Sequence, residues 1–321
     1  MIQLFRIVIA FLISLLLLGV SLTFGREPMI QITDGVYSYL DVHDPLPTNS
    51  FGANSGIIIG DEGVAVIDSL GSAKEAQNFL AEIKTITDKP IQYLILTHHH
   101  LNHSFGASVF KNEGAEIVAH ADCLDEMVKH SHTTLENATS YGLTAEELAG
   151  TEIVYPTRTF NGQSLKLDFK GVDIRLVTAT PSHSRGSLFV HLPEKKVVFT
   201  GDLLFTDYHP YMGEGQIVRW RAELDKVSSL GAEKIIPGHG PLSSNRDLME
   251  MKSYLAQFDT LATEIVSHGK NIDRAYRELY TTLPTRSRSE SLIMANLRIK
   301  YFHPTDQKAQ NTDNAKTLPA Q

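Results

Sequence analysis

The sequence predicts an α/β (α+β) protein, built as a four-layer αββα sandwich of two mixed β-sheets with a C-terminal helical extension. Three observations support this fold class. Strands and helices alternate in both halves of the chain, short hairpin-type turns join several neighbouring strands, and each half carries helices that could cover one sheet. The hairpin-type turns disfavour the alternative, a simple doubly wound parallel sheet.

The first half carries the elements of one sheet and its helical layer. Alternating or continuous apolar runs predict strands at 35–40, 55–59, 64–67, 91–96 and 115–119. Helical spacing predicts helices over 72–88 and 105–111, and two helical pieces after residue 120, the second beginning at Thr144. Ser72 and Glu75 have the spacing of a capping box at the start of the first helix. This helix therefore connects an opening β-meander to the buried strand 91–96.

The second half repeats this alternation and then becomes helical. Strands are predicted at 164–169, 172–177, 187–192, 196–200 and 233–236, with a helix over 217–229. Apolar residues at helical spacing follow the Ser243–Ser244 cap and predict a C-terminal helical extension over 243–303, with shorter helices at 271–280 and 289–301. Residues 304–321 are polar and lack large apolar groups, which predicts a disordered tail.

The composition narrows the function classes. The 321 residues are 42% hydrophobic and 21% charged, which is typical of a globular protein. The formal charge of -8 and the lack of a basic stripe argue against a nucleic-acid partner and favour a small-molecule substrate. The lone cysteine, Cys123, excludes an intrachain disulfide, and its place in a helical stretch indicates a structural thiol.

The amino-terminal end forms a separate unit. Residues 7–24 are almost wholly apolar, Arg6 precedes them, and the polar body begins at Arg26. The apolar run is intermediate between a signal-peptide core and a minimal spanning helix, so residues 1–25 are predicted to be a signal peptide or an N-terminal membrane anchor. Arg6 favours a cytoplasmic amino terminus. The body is therefore expected to be exported, either periplasmic or anchored to the inner membrane facing the periplasm, with this segment as its only membrane contact.

A cluster of imidazoles directly follows the buried strand 91–96. Residues 97–103 read Thr-His-His-His-Leu-Asn-His. In an extended segment, side chains two residues apart point the same way, so His98 and His100 can bind one ion together. Imidazole nitrogens are common ligands of zinc and similar divalent ions. The cluster therefore predicts a metal site, and the alternative is a group of solvated surface histidines.

Three later segments place polar side chains just after predicted strands, where loops carry chemistry on a rigid frame. His183 and His239 each follow one strand, and Asp202 follows another beside a glycine. Glycine beside a ligand lets the backbone approach a bound ion closely. Each signal is weak alone, but their order and context together favour one shared metal centre.

These motifs resemble those of the metallo-β-lactamase superfamily over roughly residues 31–240. The resemblance rests on the opening meander, on the His-x-His-x-Asp-His signature matched by 98–103, and on His183, Gly201–Asp202 and 237–240. It implies a metallo-β-lactamase-like domain over 29–242 and a metal-dependent hydrolase. It also implies two metal sites, which would be a first site on His98, His100 and His183, and a second on residue 102, His103 and His239, with Asp202 bridging.

One position departs from this pattern, because the signature aspartate is Asn102 here. An amide oxygen is a neutral and weaker ligand, so mutual repulsion of two cations is expected to weaken the second site. The first site is unaffected, and three histidines with one open position are a known catalytic zinc arrangement. One tightly bound Zn²⁺ and a weaker second site are therefore expected. His103, His239 and Asp202 would also suit non-heme iron, which is the alternative metal.

The resemblance implies hydrolysis of an acyl or ester-type bond in a small molecule such as a lactam, a lactone or a thioester. Asp202 is expected to orient the attacking hydroxide and take its proton, and Asn102 to share in holding the water. Two alternatives remain. One is an iron-dependent, dioxygenase-like oxidoreductase on the same ligands, and the other is a non-catalytic metal-binding relative weakened at Asn102.

Four further side chains are predicted to meet the substrate. Phe51, in the loop 44–54, is expected to cover it, and Tyr208 and His209, in the loop after Asp202, are expected to form pocket walls. Arg185 is two residues past a predicted ligand, so it is expected to meet a substrate carboxylate. The alternative for Arg185 is a solvated loop arginine.

Overall fold

Two mixed β-sheets form the frame of the molecule in a computed structural model, which describes residues 29–39 and 46–302. The first sheet has seven strands in chain order: β1 (Met29–Thr33), β2 (Val36–Tyr39), β3 (Ser55–Ile59), β4 (Val64–Ile67), β5 (Ile91–Ile95), β6 (Glu116–His120) and β7 (Arg158–Phe160). Its first four strands pair antiparallel, and β4 to β7 pair parallel.

The second sheet has five strands in the order β12-β11-β10-β9-β8. These strands are β8 (Ser164–Lys166), β9 (Arg175–Thr178), β10 (Leu188–Leu192), β11 (Val197–Phe199) and β12 (Lys234–Ile236). Strands β8 to β11 pair antiparallel, whereas β11 and β12 are parallel. A parallel pair needs a long crossover, and the residues between β11 and β12 provide it.

Helices cover the outer faces of both sheets. The described helices are α1 (Ala73–Ile86), α2 (Leu101–Ser104), α3 (Ala107–Asn112), α4 (Ala121–Glu136), α5 (Ile217–Ser228), α6 (Asn245–Ser267), α7 (Ile272–Thr282) and α8 (Ser291–Lys300). Short 3-10 turns lie at 47–52, 138–141 and 201–203. At the start of α1, Ser72 Oγ accepts a hydrogen bond from Glu75 N at 3.2 Å, as the predicted cap requires.

The buried apolar side chains form three layers, which confirm the αββα architecture. The layer between the sheets includes Ile58, Val118 and Val190. A second layer joins the first sheet to α1, α3 and α4 through residues such as Phe79, Phe110 and Met127. A third joins the second sheet to α5–α8 through residues such as Trp220, Phe258 and Leu297. Each fully buried large side chain contributes roughly 1.5–3 kcal/mol to folding.

Three local elements differ from what the sequence indicates. The piece predicted to begin as a helix at Thr144 is a series of turns, although Thr144 and Glu147 exchange the hydrogen bonds of a capping box. Strands β1 and β7 were not predicted. Strand β7 has only three residues and is defined by its pairing with β6, so it carries almost no pattern of its own.

The predicted leader (1–25) and the predicted tail (304–321) lie outside the described residues. Within residues 29–39 and 46–302, no helix is both long and apolar enough to span a bilayer. The division into domains stays a prediction.

Candidate metal centre

Four loops bring the predicted ligands to one edge of the two sheets. They follow β5, β9, β11 and β12, and they carry His98 to His103, His183, Asp202 and His239 respectively. The sheets hold these loops at fixed positions because their strands are paired and their side chains are buried. The six ligands lie 98 to 239 residues into the chain, yet their donor atoms meet.

The first donor group is His98, His100, His183 and Asp202, whose donor atoms all lie within 4.8 Å of one another. His183 Nε2 is 3.0 Å from His100 Nδ1. Asp202 Oδ2 is 3.4 Å from His183 Nε2 and 3.6 Å from His98 Nε2. This set is three imidazoles and one carboxylate oxygen, as the sequence predicts for the first site.

The second donor group is His103, Asp202 and His239. Here the other carboxylate oxygen is used: Asp202 Oδ1 is 3.0 Å from His103 Nε2 and 3.4 Å from His239 Nε2. Asp202 therefore faces both groups through different oxygens, which is the bridging position expected for it.

The hydrogen bonds of the histidines leave lone pairs directed into the donor groups. Thr97 Oγ1 donates to Asp68 Oδ2 at 2.7 Å and lies 3.1 Å from His98 Nδ1, so His98 Nδ1–H donates to it. His103 Nδ1 is 2.9 Å from the same carboxylate, that of Asp68, and donates to it. With the outer nitrogen of each ring donating, the inner nitrogen points into its donor group, where it can bind a cation once it carries no proton.

A second observation indicates that these side chains could hold a divalent cation. His98 Nε2 is buried and has no hydrogen-bond partner, whereas His103 Nε2 and Asp202 Oδ1 are buried and face each other at 3.0 Å. Buried polar atoms are normally satisfied, and an unsatisfied one is unfavourable by about 1–3 kcal/mol. An unsatisfied imidazole nitrogen among other imidazoles and a carboxylate matches the donor chemistry of zinc and similar metals.

The charge states of the first group suit metal binding. Burial lowers the pKa of His98 well below its ordinary value, and it lowers the pKa of His183 to about 3. These rings are therefore neutral at pH 7. Burial raises the pKa of Asp202, but His103 and His239 outweigh it, so the net pKa lies well below its usual value and the carboxylate is ionised.

His103 differs from the other ligands in its charge. Burial lowers its pKa, but the carboxylates of Asp202 and Asp68 outweigh burial and raise it to about 10. A proton and a cation therefore compete for His103 Nε2, and binding of a cation there releases the proton.

Asn102 lies beside the second donor group. Its Nδ2 donates to His239 Nε2 over 3.2 Å. The amide nitrogen has no lone pair for a cation, so only the amide oxygen could act as a ligand after rotation of the side chain. The structure thus places Asn102 where the family signature has its aspartate, in contact with His239 but without a charge.

Glycines allow the close approach of the ligand loops, as predicted. A Cβ on Gly238 would lie 2.1 Å from Asp202 Oδ1, and one on Gly201 would lie 2.6 Å from Thr97 Oγ1. Gly201 also has a φ of +49°, in the left-handed region that favours glycine. Any side chain at Gly238 would displace the carboxylate that both donor groups share.

The predicted substrate contacts lie in different surroundings. Phe51 is half-buried in the 47–52 turn, with a φ of +57°, and Tyr208 is buried with its ring centroid 5.5 Å from that of His239. His209 is buried and its Nδ1 lies 2.7 Å from the hydroxyl of Tyr254 on α6. These contacts turn the His209 ring toward the helical layer.

Arg185 is held by acidic side chains of α4. Its Nη2 is 2.9 Å from Asp122 Oδ1 and its Nη1 is 3.1 Å from Glu126 Oε1. The guanidinium therefore ties the loop of His183 to α4. Its contact with a substrate carboxylate stays a prediction, as do the substrate contacts of Phe51, Tyr208 and His209.

Sequence reasoning did not assign Glu214, whose carboxylate contacts two histidines of the cluster. Glu214 Oε1 is 3.3 Å from His100 Nε2, and its Oε2 is 3.5 Å from His99 Nε2. Burial raises the pKa of Glu214, but hydrogen bonds from His100 and His99 outweigh it, so the net pKa is well below its usual value. The ring of Tyr211 lies 5.5 Å from that of His100. A single glutamate between two glycines carries no local signal for this role.

The chain is similar in sequence to known enzymes. The chain is 26% identical over 227 residues to the linear primary-alkylsulfatase of a Pseudomonas species, a match that covers 60% of this chain and 42% of that protein. It is 34% identical over 165 residues to the hydroxyacylglutathione hydrolase GloC of Haemophilus influenzae, covering 50% of this chain and 70% of that protein. The chain spans less than half the length of the alkylsulfatase.

The fold is also found in a solved structure. The stereoselective inverting sec-alkylsulfatase Pisa1 from Pseudomonas sp. superposes with a TM-score of 0.67 at 19% identity, covering 91% of this chain and 52% of that one. The model of the metallo-beta-lactamase superfamily matches residues 48–239, which include every predicted metal ligand. The chain therefore belongs to the metallo-beta-lactamase superfamily.

Proposed function

We propose that this protein is a metal-dependent hydrolase, with zinc as its metal, that cleaves an acyl or ester-type bond of a small molecule such as a lactam, a lactone or a thioester. The observation that carries the proposal is the convergence of five imidazoles on both oxygens of one buried carboxylate, Asp202. The similarity of the chain to the hydroxyacylglutathione hydrolase GloC supports an acyl substrate.

His98, His100 and His183 would hold the first cation with Asp202, and His103 and His239 would hold the second. Zinc bound by such a donor set polarises a carbonyl and lowers the pKa of a water molecule to about 7. The neutral rings of the first group keep their lone pairs at pH 7 because burial disfavours their protonation.

Asp202 is the side chain that would act on the attacking water. It is ionised, and it faces both donor groups. Its carboxylate can therefore accept a hydrogen bond from the water, orient it toward the carbonyl carbon, and receive its proton. Asn102 cannot take a proton, so we assign that role to Asp202 alone and expect slower turnover than an aspartate at 102 would give.

The test uses the full chain purified without added zinc. Its metal content is measured first, and then turnover of a β-lactam, a lactone, a thioester and a primary alkyl sulfate is measured for wild type and His98→Ala. We expect bound zinc and hydrolysis of at least one acyl substrate, both lost in His98→Ala. His268→Ala, a change at the exposed residue that directly follows α6, is the matched control. Zinc-loaded protein that turns over no acyl substrate would contradict the proposal.

A second candidate is an iron-dependent oxidoreductase. Two histidines and one carboxylate, the set of His103, His239 and Asp202, are also a ligand set of non-heme iron. Iron in place of zinc in the purified protein, with consumption of dioxygen, would favour this function. Bound metal without turnover of any kind would indicate a non-catalytic relative.

We also propose that the protein is exported, with residues 1–25 as a signal peptide or membrane anchor. This proposal is supported by the apolar run, residues 7–24, that follows Arg6 in the sequence. Fractionation of cells expressing the full chain tests it: recovery of the protein in the cytoplasm, with an intact amino terminus, would contradict export.

A further inference from the structure

The C-terminal segment, defined here as α7, α8 and the residues between them, contacts the loop that precedes α5. This segment lies outside residues 48–239, the range matched by the superfamily model. The contacted residues, 205–215, follow Asp202 and are called the 205–215 loop. Polar contacts hold this loop in addition to apolar packing, since Phe205, Tyr208 and Met212 lie in the same buried cluster as side chains of α7 and α8.

Two side chains of α8 hold the end of this loop. Asn296 is fully buried, and its Oδ1 accepts a hydrogen bond from Met212 N at 2.7 Å while its Nδ2 donates to Pro210 O at 2.8 Å. Lys300 Nζ donates to Gly215 O at 2.6 Å. These three bonds fix the backbone on both sides of Tyr211 and Glu214.

The residues fixed in this way contact a ligand of the first donor group. Glu214 accepts a hydrogen bond from His100 Nε2, and the opposite nitrogen, Nδ1, faces His183 at 3.0 Å. Because the proton then lies on Nε2, the lone pair of Nδ1 is directed into the donor group. The ring of Tyr211 packs edge-on against His100, which restricts its rotation.

The same segment also supports the second donor group. Arg286 Nη1 donates to Phe205 O at 2.7 Å and to Tyr208 O at 2.8 Å. The ring of Phe205 is stacked on His239, with centroids 4.8 Å apart and planes 4° from parallel. One segment therefore fixes the backbone beside ligands of both groups.

We propose that Glu214 is a positioning residue for His100, and that Lys300 and Asn296 of the C-terminal segment are positioning residues that act through Glu214 to hold the first metal tightly. This inference rests on the metal centre of the proposed function. It assigns to residues outside the matched domain a role in metal affinity.

The test measures the affinity of the full chain for the first equivalent of zinc by competition with a chromophoric chelator. Glu214→Gln should weaken this affinity by about 10-fold, the lower end of the effect of disturbing a partner of a ligand histidine, because its amide oxygen can still accept from His100 Nε2 but carries no charge. Lys300→Met should weaken it by about 3–10-fold, since it loosens the loop without removing the carboxylate. The double variant should lose less than the product of the two factors, because both changes act on one contact.

Matched controls separate this role from a general effect on the fold. Glu223→Gln removes an acid of α5 that pairs with Lys226, and Lys252→Met removes a lysine of α6 that pairs with Asp225. Both controls should bind zinc as wild type does. The visible spectrum of the cobalt-substituted protein should change in Glu214→Gln and Lys300→Met, and stay unchanged in both controls.

Asn296 is buried, so its replacement by leucine is informative only if the variant folds, and Lys300→Met serves as the second variant. Wild-type zinc affinity in Glu214→Gln would overturn the role of Glu214. A lower melting temperature in Lys300→Met with unchanged zinc affinity would overturn the role of the C-terminal segment. Failure of the proposed function would be distinguishable, because it would show as absent turnover while these differences in affinity persist.

Discussion

Replacement of Asn102 by aspartate is expected to strengthen the second donor group selectively. The Asn102 side chain contacts His239 Nε2 at 3.2 Å, and Asp202 Oδ1 lies 3.4 Å from the same nitrogen. Asn102→Asp therefore adds a charge beside the second group and exchanges an amide donor for a possible ligand. The first group, built on His98, His100 and His183, gains no ligand from this change.

The magnitude follows from opposing electrostatic effects. A carboxylate and a divalent cation about 4 Å apart attract by about 8 kcal/mol at an effective dielectric constant near 20. Desolvation of the new, partly buried carboxylate and its repulsion from Asp202 oppose this by several kcal/mol. A net gain of about 1.4–2.8 kcal/mol remains, which corresponds to a 10–100-fold tighter second equivalent of zinc.

Without metal, the same change should destabilise the fold. Two carboxylates beside one histidine repel each other, so the metal-free Asn102→Asp variant should unfold at a lower temperature than wild type. With zinc in excess the order should reverse, because ligand binding stabilises the folded state. This crossover distinguishes an electrostatic effect on the metal centre from simple damage to the fold.

The assay is a competition titration that resolves the first and second equivalents of zinc, with thermal unfolding in parallel. Asn112→Asp adds the same charge on an exposed position of α3 and controls for the net charge of the protein. Equal tightening of both equivalents, or tightening in Asn112→Asp, would refute the reasoning. Two equally tight zinc ions in wild type would also contradict the expected weakness of the second site.

Two further changes test other parts of the structure. Gly238→Ala should reduce bound zinc at both donor groups, since the added Cβ would lie 2.1 Å from Asp202 Oδ1; wild-type metal content by elemental analysis would contradict this. His209→Phe should reduce the sensitivity of stability to acid. Burial lowers the pKa of His209 from its ordinary value of about 6.5 to about 4, so the unfolded chain binds a proton more readily. The stability from this group is complete above pH 6.5 and is lost as the pH falls toward 4. Between pH 7 and 4.5, wild type should therefore lose up to about 2–3 kcal/mol more unfolding free energy than His209→Phe in denaturant titrations. Parallel losses would contradict burial of a neutral His209.

The αββα architecture could be predicted from sequence because its elements are specified locally. The apolar run 91–95 is a strand, and the stripe of Ala76, Phe79, Leu80 and Ile83 is the buried face of α1, as periodicity requires. Strand β7 fails this rule, since its three residues are held by pairing with β6. The segment after Thr144 is a different exception to the periodicity rule. Its capping hydrogen bonds form, but no helix follows them.

The ligands could be predicted because each one follows a strand and most stand in a recognisable motif. The side chains that hydrogen-bond to the ligands are of two kinds. Some are placed by the topology of the sheet, and others by the packing of segments that are distant in sequence. Asp68 directly follows β4, at the end of the opening meander, and the parallel pairing of β4 with β5 places it beside Thr97 and His103. Its position is therefore a consequence of sheet topology, even though its role was not inferred.

Glu214 could not be found in this way, because its position depends on three separate parts of the chain. The 205–215 loop leaves the second sheet, α8 fixes it through Asn296 and Lys300, and the carboxylate then reaches an imidazole 114 residues earlier. No periodicity or motif encodes a distance set by three packed segments. Loops that follow strands can bring a ligand set together. The orientation of His100, however, depends on helices outside the range matched by the superfamily model. It follows that relatives sharing only the motif residues can differ in metal affinity, and that Glu214 and Lys300 are where such a difference would arise in this chain.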